Sequence, residues 1–588
     1  MATTGTRDEG RAHVNGGDLV ADALERHGVS TLFTLCGGHI SPILVAAKRR
    51  GIRVVDVRDE ASAVFAADAV SRLTGVPGVA AVTAGPGATN TITAVANAML
   101  AESAAVVLGG APPTILQGRG ALQDINHPAL LRSQVKQVFA VRRVRDLAGA
   151  VGRAFDAARR GTPGPTFVEC PADLLYDEAV VRRWYRAGEP RSGITTADRL
   201  RGWYIRRHLD RVFAPGPATP TPDEESEGRS PSARFLSHIA LALQRAERPV
   251  LLLGSQAVHE VHRLSQLAEA VDRLGVPVYL SGMARGLLPA GHRLLFRHRR
   301  TAALKEADLV LLAGVPFDFR LDYGRQISRR ATVVAANLNR RALRQNRRPR
   351  HAGVCQPGRL VMGLAQHTSA PGHISAWLDA LRSREQDREG EITELAARPA
   401  DGINPLALCR AIDRALDDDS IIVADGGDFV GTAASCIAPR RPLSWLDPGP
   451  FGTLGVGGGF ALGAKVARPQ AEVWILYGDG AAAFSIAEFD TFVRHGLPVI
   501  AVVGNDGSWA QIARGQKEML GDDVGTVLRR TAYHDVAEGY GGVGLELRDP
   551  GCVDATLAEA KAIARGGRPV LVNAMIGTSE FRAGSISL

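Results

Sequence analysis

Two short oxygen-bearing segments stand out in the last third of the chain. Val473-Trp474-Ile475-Leu476-Tyr477 reads as a buried strand and runs into Gly478-Asp479-Gly480-Ala481. A second strand, 499–503, ends at Gly504-Asn505-Asp506-Gly507. Asp479 and Asn505 are 26 positions apart, room for one helix, expected near 484–495, to cross between neighbouring parallel strands. Both loops then leave the sheet at the C-terminal edge where open α/β folds bind ligands. Glycines let the backbone approach a diphosphate closely. Carboxylate and amide oxygens are the hard ligands that Mg²⁺ prefers, and the metal's charge offsets that of the phosphates. Gly-Asp-Gly by itself is also a common turn; the paired loops are what favour the chemical reading.

A third candidate lies near the start of the chain. Residues 54–57 read as a strand, followed by Arg58-Asp59-Glu60 and an alanine-rich helix. Acidic residues at a helix start are favoured by the helix dipole, which is a complete structural account of Glu60. The segments Asp425-Gly426-Gly427-Asp428-Phe429 and Gly452-Thr453-Leu454-Gly455 have the composition of helix-opening turns at further strand ends.

Together these segments resemble the thiamine-diphosphate signature of the acetolactate synthase and 2-hydroxyacyl-CoA lyase superfamily, over nearly the whole chain. The resemblance implies that Glu60 shares a proton with the coenzyme's aminopyrimidine, so that the nitrogen removing the thiazolium C2 proton becomes basic. It implies metal ligation by Asp479, by Asn505 or Asp506, and by the backbone carbonyl of Ser508. The family signature ends in two asparagines and here reads Asn505-Asp506, which leaves open which of the two binds. Gly427, Asp428, Phe429, Gly452 and Thr453 match the remaining loops of the diphosphate half, and Leu454 matches the bulky residue that bends the coenzyme. Thr83-Ala84-Gly85-Pro86-Gly87-Ala88-Thr89-Asn90 resembles the glycine-rich turn over the cofactor. Gln123, in Gly120-Ala121-Leu122-Gln123-Asp124, is a candidate substrate contact. His39 is a candidate proton-transfer group facing the thiazolium, and Trp509 a candidate for lining the substrate pocket. The family usually carries histidine before the glutamate; here it is Asp59.

These residues need three positioning blocks. A recurring phrase, proline followed by four or five apolar residues, appears at 164–169, 248–254, 276–282, 497–504 and 568–577. Each suits a strand buried on both faces of a parallel sheet, and helical stretches such as 61–73 and 93–101 lie between them. The expected architecture is α/β, three doubly wound parallel-sheet domains. A pyrimidine-binding domain is placed at 12–178, a linker at 187–232, a central domain at 233–370 and a diphosphate-binding domain at 400–580, with a tail at 581–588. Inside the linker, Trp203, Tyr204, Ile205, Leu209, Val212 and Phe213 form an apolar stripe at helical spacing, expected to pack on a neighbouring domain, with a membrane surface as the alternative.

Bulk properties exclude several classes. With 588 residues, 45% hydrophobic and 22% charged, the chain has the composition of a folded protein of several domains. Net charge is +9, from 70 basic and 61 acidic residues. The densest basic patch, at 340–350, has no interleaved aromatics, so a nucleic-acid groove is not expected; it reads as a solvated face or a landing site for an anionic substrate such as a CoA ester. The six cysteines form no CxxC pair and are expected to be reduced and mostly buried. No apolar run is long enough to span a bilayer, and the N-terminal residues lack the apolar core of a signal peptide. The C-terminal Ser-Ile-Ser-Leu only loosely matches a peroxisomal signal, leaving the cytoplasm as the expected location.

Within the superfamily, the segments 37–42, 117–124, 426–434, 446–465, 488–495 and 504–509 are most similar to acetolactate-synthase-like 2-hydroxyacyl-CoA lyases. That branch implies cleavage of a 2-hydroxyacyl-CoA to formyl-CoA and an aldehyde or ketone, or the reverse condensation. Acetolactate synthase is the alternative; it holds FAD in the middle block beside Arg-Phe-Asp-Asp-Arg, where this chain has Pro316-Phe317-Asp318-Phe319-Arg320. Whether FAD or ADP fills that block stays open. The family also implies a homodimer or homotetramer with active sites between subunits. A nicotinamide-dependent oxidoreductase is disfavoured because no GxGxxG opens a helix, and a catalytically inert regulatory subunit is disfavoured by Glu60.

Overall fold

The computed structural model describes residues 15–185, 195–216 and 229–582. Each proline-opened apolar run forms a strand, and the strands assemble into three wholly parallel sheets flanked by helices. The first holds β1 (Thr31–Leu35), β2 (Arg53–Asp56), β3 (Gly78–Val82), β4 (Ala105–Ala111), β5 (Gln137–Ala140) and β6 (Thr166–Pro171), in the order β2-β1-β3-β4-β6-β5. The second holds β7 (Pro249–Leu253), β8 (Val278–Leu280), β9 (Leu309–Ala313), β10 (Thr332–Ala336) and β11 (His351–Gly353), in the order β11-β10-β9-β7-β8. The third holds β12 (Ile421–Ala424), β13 (Trp445–Leu446), β14 (Val473–Gly478), β15 (Ile500–Asn505), β16 (Val543–Leu547) and β17 (Val570–Met575), in the order β13-β12-β14-β15-β17-β16.

Counted within each sheet, the first and third share one strand order. In both, the chain reverses direction across the sheet between its first and third strands, β1/β3 and β12/β14, where loops diverge and open a crevice. Pairing of β14 with β15 runs from Trp474↔Ile500 to Gly478↔Gly504, so the Gly-Asp-Gly and Asn-Asp loops leave side by side. Strands β14, β15 and β17 are buried along their whole length, as expected of a sheet covered on both faces. One expectation is corrected. The crossing between β14 and β15 is two helices, Asp479–Ser485 and Glu488–His495, not one. The break follows Ser485, whose hydroxyl takes the Gly458 N–H and meets the Tyr477 hydroxyl.

The outer domains are joined through two helices, Glu60–Thr74 and Val456–Ala467. They approach closely because Gly459 and Gly463 lie at the contact. A Cβ on Gly459 would sit 2.6 Å from Phe65 Cβ and 2.7 Å from the Ser62 carbonyl oxygen, and one on Gly463 2.3 Å from the Ala66 carbonyl oxygen. Rigid backbone stands opposite in each case, so Gly463→Val is expected to cost about 1–3 kcal/mol or more of stability, read from the denaturation midpoint. The central domain is tied to the helix Pro405–Ala415 by a polar cluster. There His298 Nε2 meets Glu389 at 2.8 Å and Arg410 pairs with the same carboxylate; the histidine and then the arginine hold Glu389 down to about 2.

The stripe in the linker is helical over Thr196–Val212. Leu209 and Val212 are buried, Val212 in the core of the first domain, whereas Trp203 and Tyr204 remain about half exposed, at 49% and 48%. Only one side of the stripe therefore packs on a domain. The basic run is also split: the Arg347 guanidinium donates to the carbonyls of Gly324, Ile327 and Ser328, while Arg340, Arg341, Arg344, Arg348 and Arg350 are exposed. All six cysteines are free, with Cys36 and Cys552 exposed and the other four buried. Among the described residues no helix is long and apolar enough to cross a membrane.

Candidate active site

At the C-terminal edge of the third sheet, three helices begin on glycines: Gly427 precedes Asp428–Cys436, Gly455 precedes Val456–Ala467, and Gly478 precedes Asp479–Ser485. Unpaired N–H groups and the positive dipole ends at such starts favour an anion. Gly427 is at φ +110°, and a Cβ on it would lie 3.0 Å from Gly478 Cα. The Gly478 N–H donates to the Gly426 carbonyl at 2.8 Å, lacing the two loops together. Leu454 lies over Gly426, where any Cβ would come within 2.2 Å of Leu454 Cδ2. Gly452 and Thr453 lead into this turn, with the Thr453 hydroxyl donating to the Leu454 carbonyl.

Asp479 is 3% exposed. One of its carboxylate oxygens accepts from the Gly480 N–H at 2.8 Å and the other from the Gly507 N–H at 2.8 Å, so Asp479 itself fixes the neighbouring loop. The Tyr533 hydroxyl donates to its backbone carbonyl at 2.6 Å. Burial raises the Asp479 carboxyl above its ordinary value. Asp506 is pushed up to about 7, by burial first and then by the charges of Asp479 and Asp428. Two carboxylates raised in this way fit a dication, whose charge would offset both. Asn505 differs. Its side chain is fully buried, with Nδ2 donating to the Thr531 carbonyl at 2.9 Å and to Asn573 Oδ1 at 3.1 Å, and Oδ1 has no hydrogen-bond partner among the described residues. The Ser508 N–H donates to Asp506 Oδ1 at 3.1 Å, and Trp509 is anchored by its N–H to the Thr526 carbonyl.

Two aromatics owe their positions to glycines. Phe429 is 3% exposed and lies across Gly504, where a Cβ would meet its ring at 2.4 Å, so its side chain is core and only its backbone belongs to the loop. The Trp509 ring covers Gly480 in the same way, at 2.4 Å; it is half-buried against the Gly-Asp-Gly loop beside Ala481. Asp428 is paired with Arg514 at 2.7 Å and Arg582 at 3.3 Å.

The matching edge of the first sheet carries Glu60, 6% exposed, at the start of its helix. Asp59 caps that helix by accepting the Ala61 N–H at 2.7 Å. Asn90 Nδ2 donates to Glu60 Oε2 at 3.0 Å. The turn before Asn90 passes through Gly85 at φ +61° and Pro86, and a Cβ on Gly87 would lie 3.6 Å from Glu60 Oε1. Gln123, at φ +61°, stacks on Gly85, where a Cβ would come within 2.8 Å of Gln123 Cβ. His39 Nδ1 meets the Thr83 hydroxyl at 3.2 Å. Burial, followed by nearby His127, lowers the His39 pKa and favours the neutral ring. Glu60, His39, Gly85, Pro86, Asn90 and Gln123 thus share one sheet edge.

Two further buried carboxylates support these loops. The Glu488 carboxylate, 1% exposed, accepts the Arg58 N–H at 3.1 Å and the Thr491 hydroxyl at 2.6 Å, holding the turn that presents Glu60 from the other domain. Asp425 accepts the N–H groups of Gly455 at 2.9 Å and Gly457 at 2.6 Å, and burial pushes it up to about 7. Its folded pKa lies above the ordinary carboxylate value of 3.8, so its contribution to stability is full below about pH 4 and is lost as pH rises through about 7. Coenzyme-free protein is therefore expected to lose melting temperature between about pH 4 and 7, and Asp425→Asn to flatten that slope. Equal slopes in the two proteins would contradict this.

A cleft of about 1710 Å³ lies elsewhere, at the C-terminal edge of the central sheet. Gln256, Asp318, Arg320, Asn337 and Arg340 line it, with Glu102 reaching in from the first domain. There Asp318 is paired with Arg320 at 2.6 Å, and Glu102 is hydrogen-bonded to Gln256.

Comparison with known proteins agrees with this geometry. Residues 14–130 match the thiamine pyrophosphate enzyme N-terminal binding domain, 236–364 the central domain and 425–574 the C-terminal binding domain. The chain is 47% identical over 585 residues to 2-hydroxyacyl-CoA lyase 2 of Bos taurus and of Homo sapiens, covering 98% of this chain and 92% of each relative. It is 34% identical over 568 residues to acetolactate synthase large subunit IlvG of Mycobacterium tuberculosis, covering 96% of both. Matched in all three domains and 47% identical to a relative over nearly its whole length, this chain belongs to the thiamine pyrophosphate enzyme family.

Proposed function

We propose that the protein is a carbon–carbon lyase that cleaves a 2-hydroxyacyl-CoA to formyl-CoA and an aldehyde or ketone, or runs the reverse condensation. The observation that carries this reading is the 47% identity to 2-hydroxyacyl-CoA lyases over 98% of the chain, against 34% to an acetolactate synthase. Thiamine diphosphate, when bound, supplies a nucleophilic carbon that adds to the acyl carbonyl and accepts the electrons of the broken bond. The chain's own residues do the rest. The glycine loops at Gly427, Gly478 and Gly480 would receive the diphosphate, with the Gly478 and Gly480 N–H groups holding the loops in place through Gly426 and Asp479, and Leu454 would support the bend of the coenzyme. Asp479 offers a carboxylate to Mg²⁺ together with the Ser508 carbonyl and either the Asp506 carboxylate or the buried, unpartnered Oδ1 of Asn505, whose amide nitrogen is held by Thr531 and Asn573. Glu60, oriented by Asn90, holds the proton on the aminopyrimidine. His39, neutral and tethered to Thr83, and Gln123 sit where they can meet substrate, with Trp509 along the pocket wall.

In a homodimer or homotetramer, Asp479 of one subunit and Glu60 of the partner subunit would hold the two ends of the coenzyme. The central cleft suits a nucleotide, FAD or ADP, and the exposed arginines beside it suit an acyl-CoA; a cytoplasmic location fits the reading. Purified protein supplied with thiamine diphosphate and Mg²⁺ and offered 2-hydroxyacyl-CoAs and pyruvate in parallel should release formyl-CoA from the former. Acetolactate from pyruvate with no formyl-CoA would overturn the assignment.

A further inference from the structure

His127 lies outside every motif discussed above, yet it is fully buried beside the coenzyme half of the first domain. Its Nε2 accepts the Gly85 N–H at 2.9 Å and its Nδ1 lies 3.2 Å from Glu169 Oε1. A backbone N–H can only donate, so Nε2 must present its lone pair and Nδ1 must carry the proton toward Glu169. Glu169, on β6, is 3% exposed. Its other oxygen faces Arg142 at 3.5 Å, and Arg142 reaches on to Gln117 at 2.6 Å. A chain of polar contacts therefore runs from the surface to the N–H of Gly85.

That N–H sits at a demanding place. Gly85, at φ +61°, starts the short helix Pro86–Asn90, which brings Gly87 against Glu60 and Asn90 into a hydrogen bond with it. Gln123 presses on Gly85 from the other side. Without an acceptor the buried N–H would pay its full desolvation cost, and the turn would rotate to find another partner. Asn90 would move with it.

We propose that His127, with its tautomer fixed by Glu169, is a positioning residue that clamps the Gly85 turn and so sets the orientation of Glu60 toward the coenzyme. The proposal rests on Glu60 being the group that meets the aminopyrimidine. It concerns only that end of the coenzyme, because the diphosphate loops belong to a different sheet.

The test is titration of full-length protein with thiamine diphosphate in Mg²⁺, following affinity and the near-ultraviolet circular dichroism of the bound aminopyrimidine. The variants are His127→Leu, His127→Asn, His127→Gln and, as reference, Glu60→Gln. Leucine offers no acceptor, and asparagine keeps a polar atom on the Glu169 side but falls short of Gly85; glutamine is long enough to accept from it. His127→Leu should bind the coenzyme within about threefold of wild type but lose most of the dichroic band, as Glu60→Gln does, because one lost hydrogen bond misplaces the turn without touching the diphosphate loops. His127→Asn should behave likewise and decides the matter if the leucine variant does not fold, whereas His127→Gln should restore at least about half of the band. An unchanged band in His127→Leu or His127→Asn, with Glu60→Gln abolishing it, overturns the role of His127 alone. Equal loss in all three His127 variants, tracking only a lower melting temperature, also overturns it. A band that survives Glu60→Gln instead removes the Glu60 reading, and this proposal with it.

Discussion

Glu60→Gln is expected to give a folded protein that still takes up thiamine diphosphate but turns over about 10²–10⁴-fold more slowly, the range for removal of a positioned proton-transfer group. The substitution is nearly isosteric. Its local partner is the Asn90 amide, whose Nδ2 donates to Oε2 at 3.0 Å, and a glutamine oxygen accepts that bond equally well. The helix start is capped by Asp59 and the preceding turn by Glu488, so neither depends on the Glu60 charge. What disappears is a carboxyl group able to exchange a proton with the aminopyrimidine. Steady-state kinetics at saturating coenzyme measures the effect, and a change of less than about tenfold would remove Glu60 from the chemistry.

Asp479→Ala is expected to act at the other end, weakening thiamine diphosphate binding in Mg²⁺ by more than about a hundredfold, beyond the loss seen when a merely supporting group near a metal is removed. Two effects combine. A hard oxygen ligand is lost, and the N–H groups of Gly480 and Gly507, which now meet at the Asp479 carboxylate, lose their shared acceptor. Asp506 and Ser508 ride on the same loop and would shift with Gly507. Calorimetric titration distinguishes this from Glu60→Gln, since affinity collapses here and survives there. Coenzyme affinity close to wild type in Asp479→Ala would show that the metal and diphosphate are held elsewhere.

Much of this site is local in sequence and could be read there. Gly478-Asp479-Gly480 and Asn505-Asp506 each end a strand, so their types and spacing already place them at one sheet edge. The strands themselves are legible because burial on both faces leaves uninterrupted apolar runs behind proline. Position within the site was less legible. Phe429 and Trp509 are similar aromatics in similar loops, and what separates core from pocket wall is the glycine each one covers, Gly504 or Gly480. The different surroundings of Asn505 and Asp506 come from Thr531 and Asn573, far along the chain. His127 holds a turn 42 residues away, and Glu488 one 430 residues away. No periodicity or motif encodes contacts between residues that only the folded chain brings together.

The sheets that carry Glu60 and Asp479 share one strand order, and the proposed site joins their two crevices across subunits. Co-expressing Glu60→Gln with Asp479→Ala tests that most directly. Each variant alone is inactive, but in a mixed dimer one crevice pair keeps both an intact glutamate and an intact aspartate. Random pairing should then restore about a quarter of wild-type turnover. A co-expressed preparation shown to contain mixed dimers, yet as inactive as either parent, would contradict a coenzyme held between Asp479 of one subunit and Glu60 of the other.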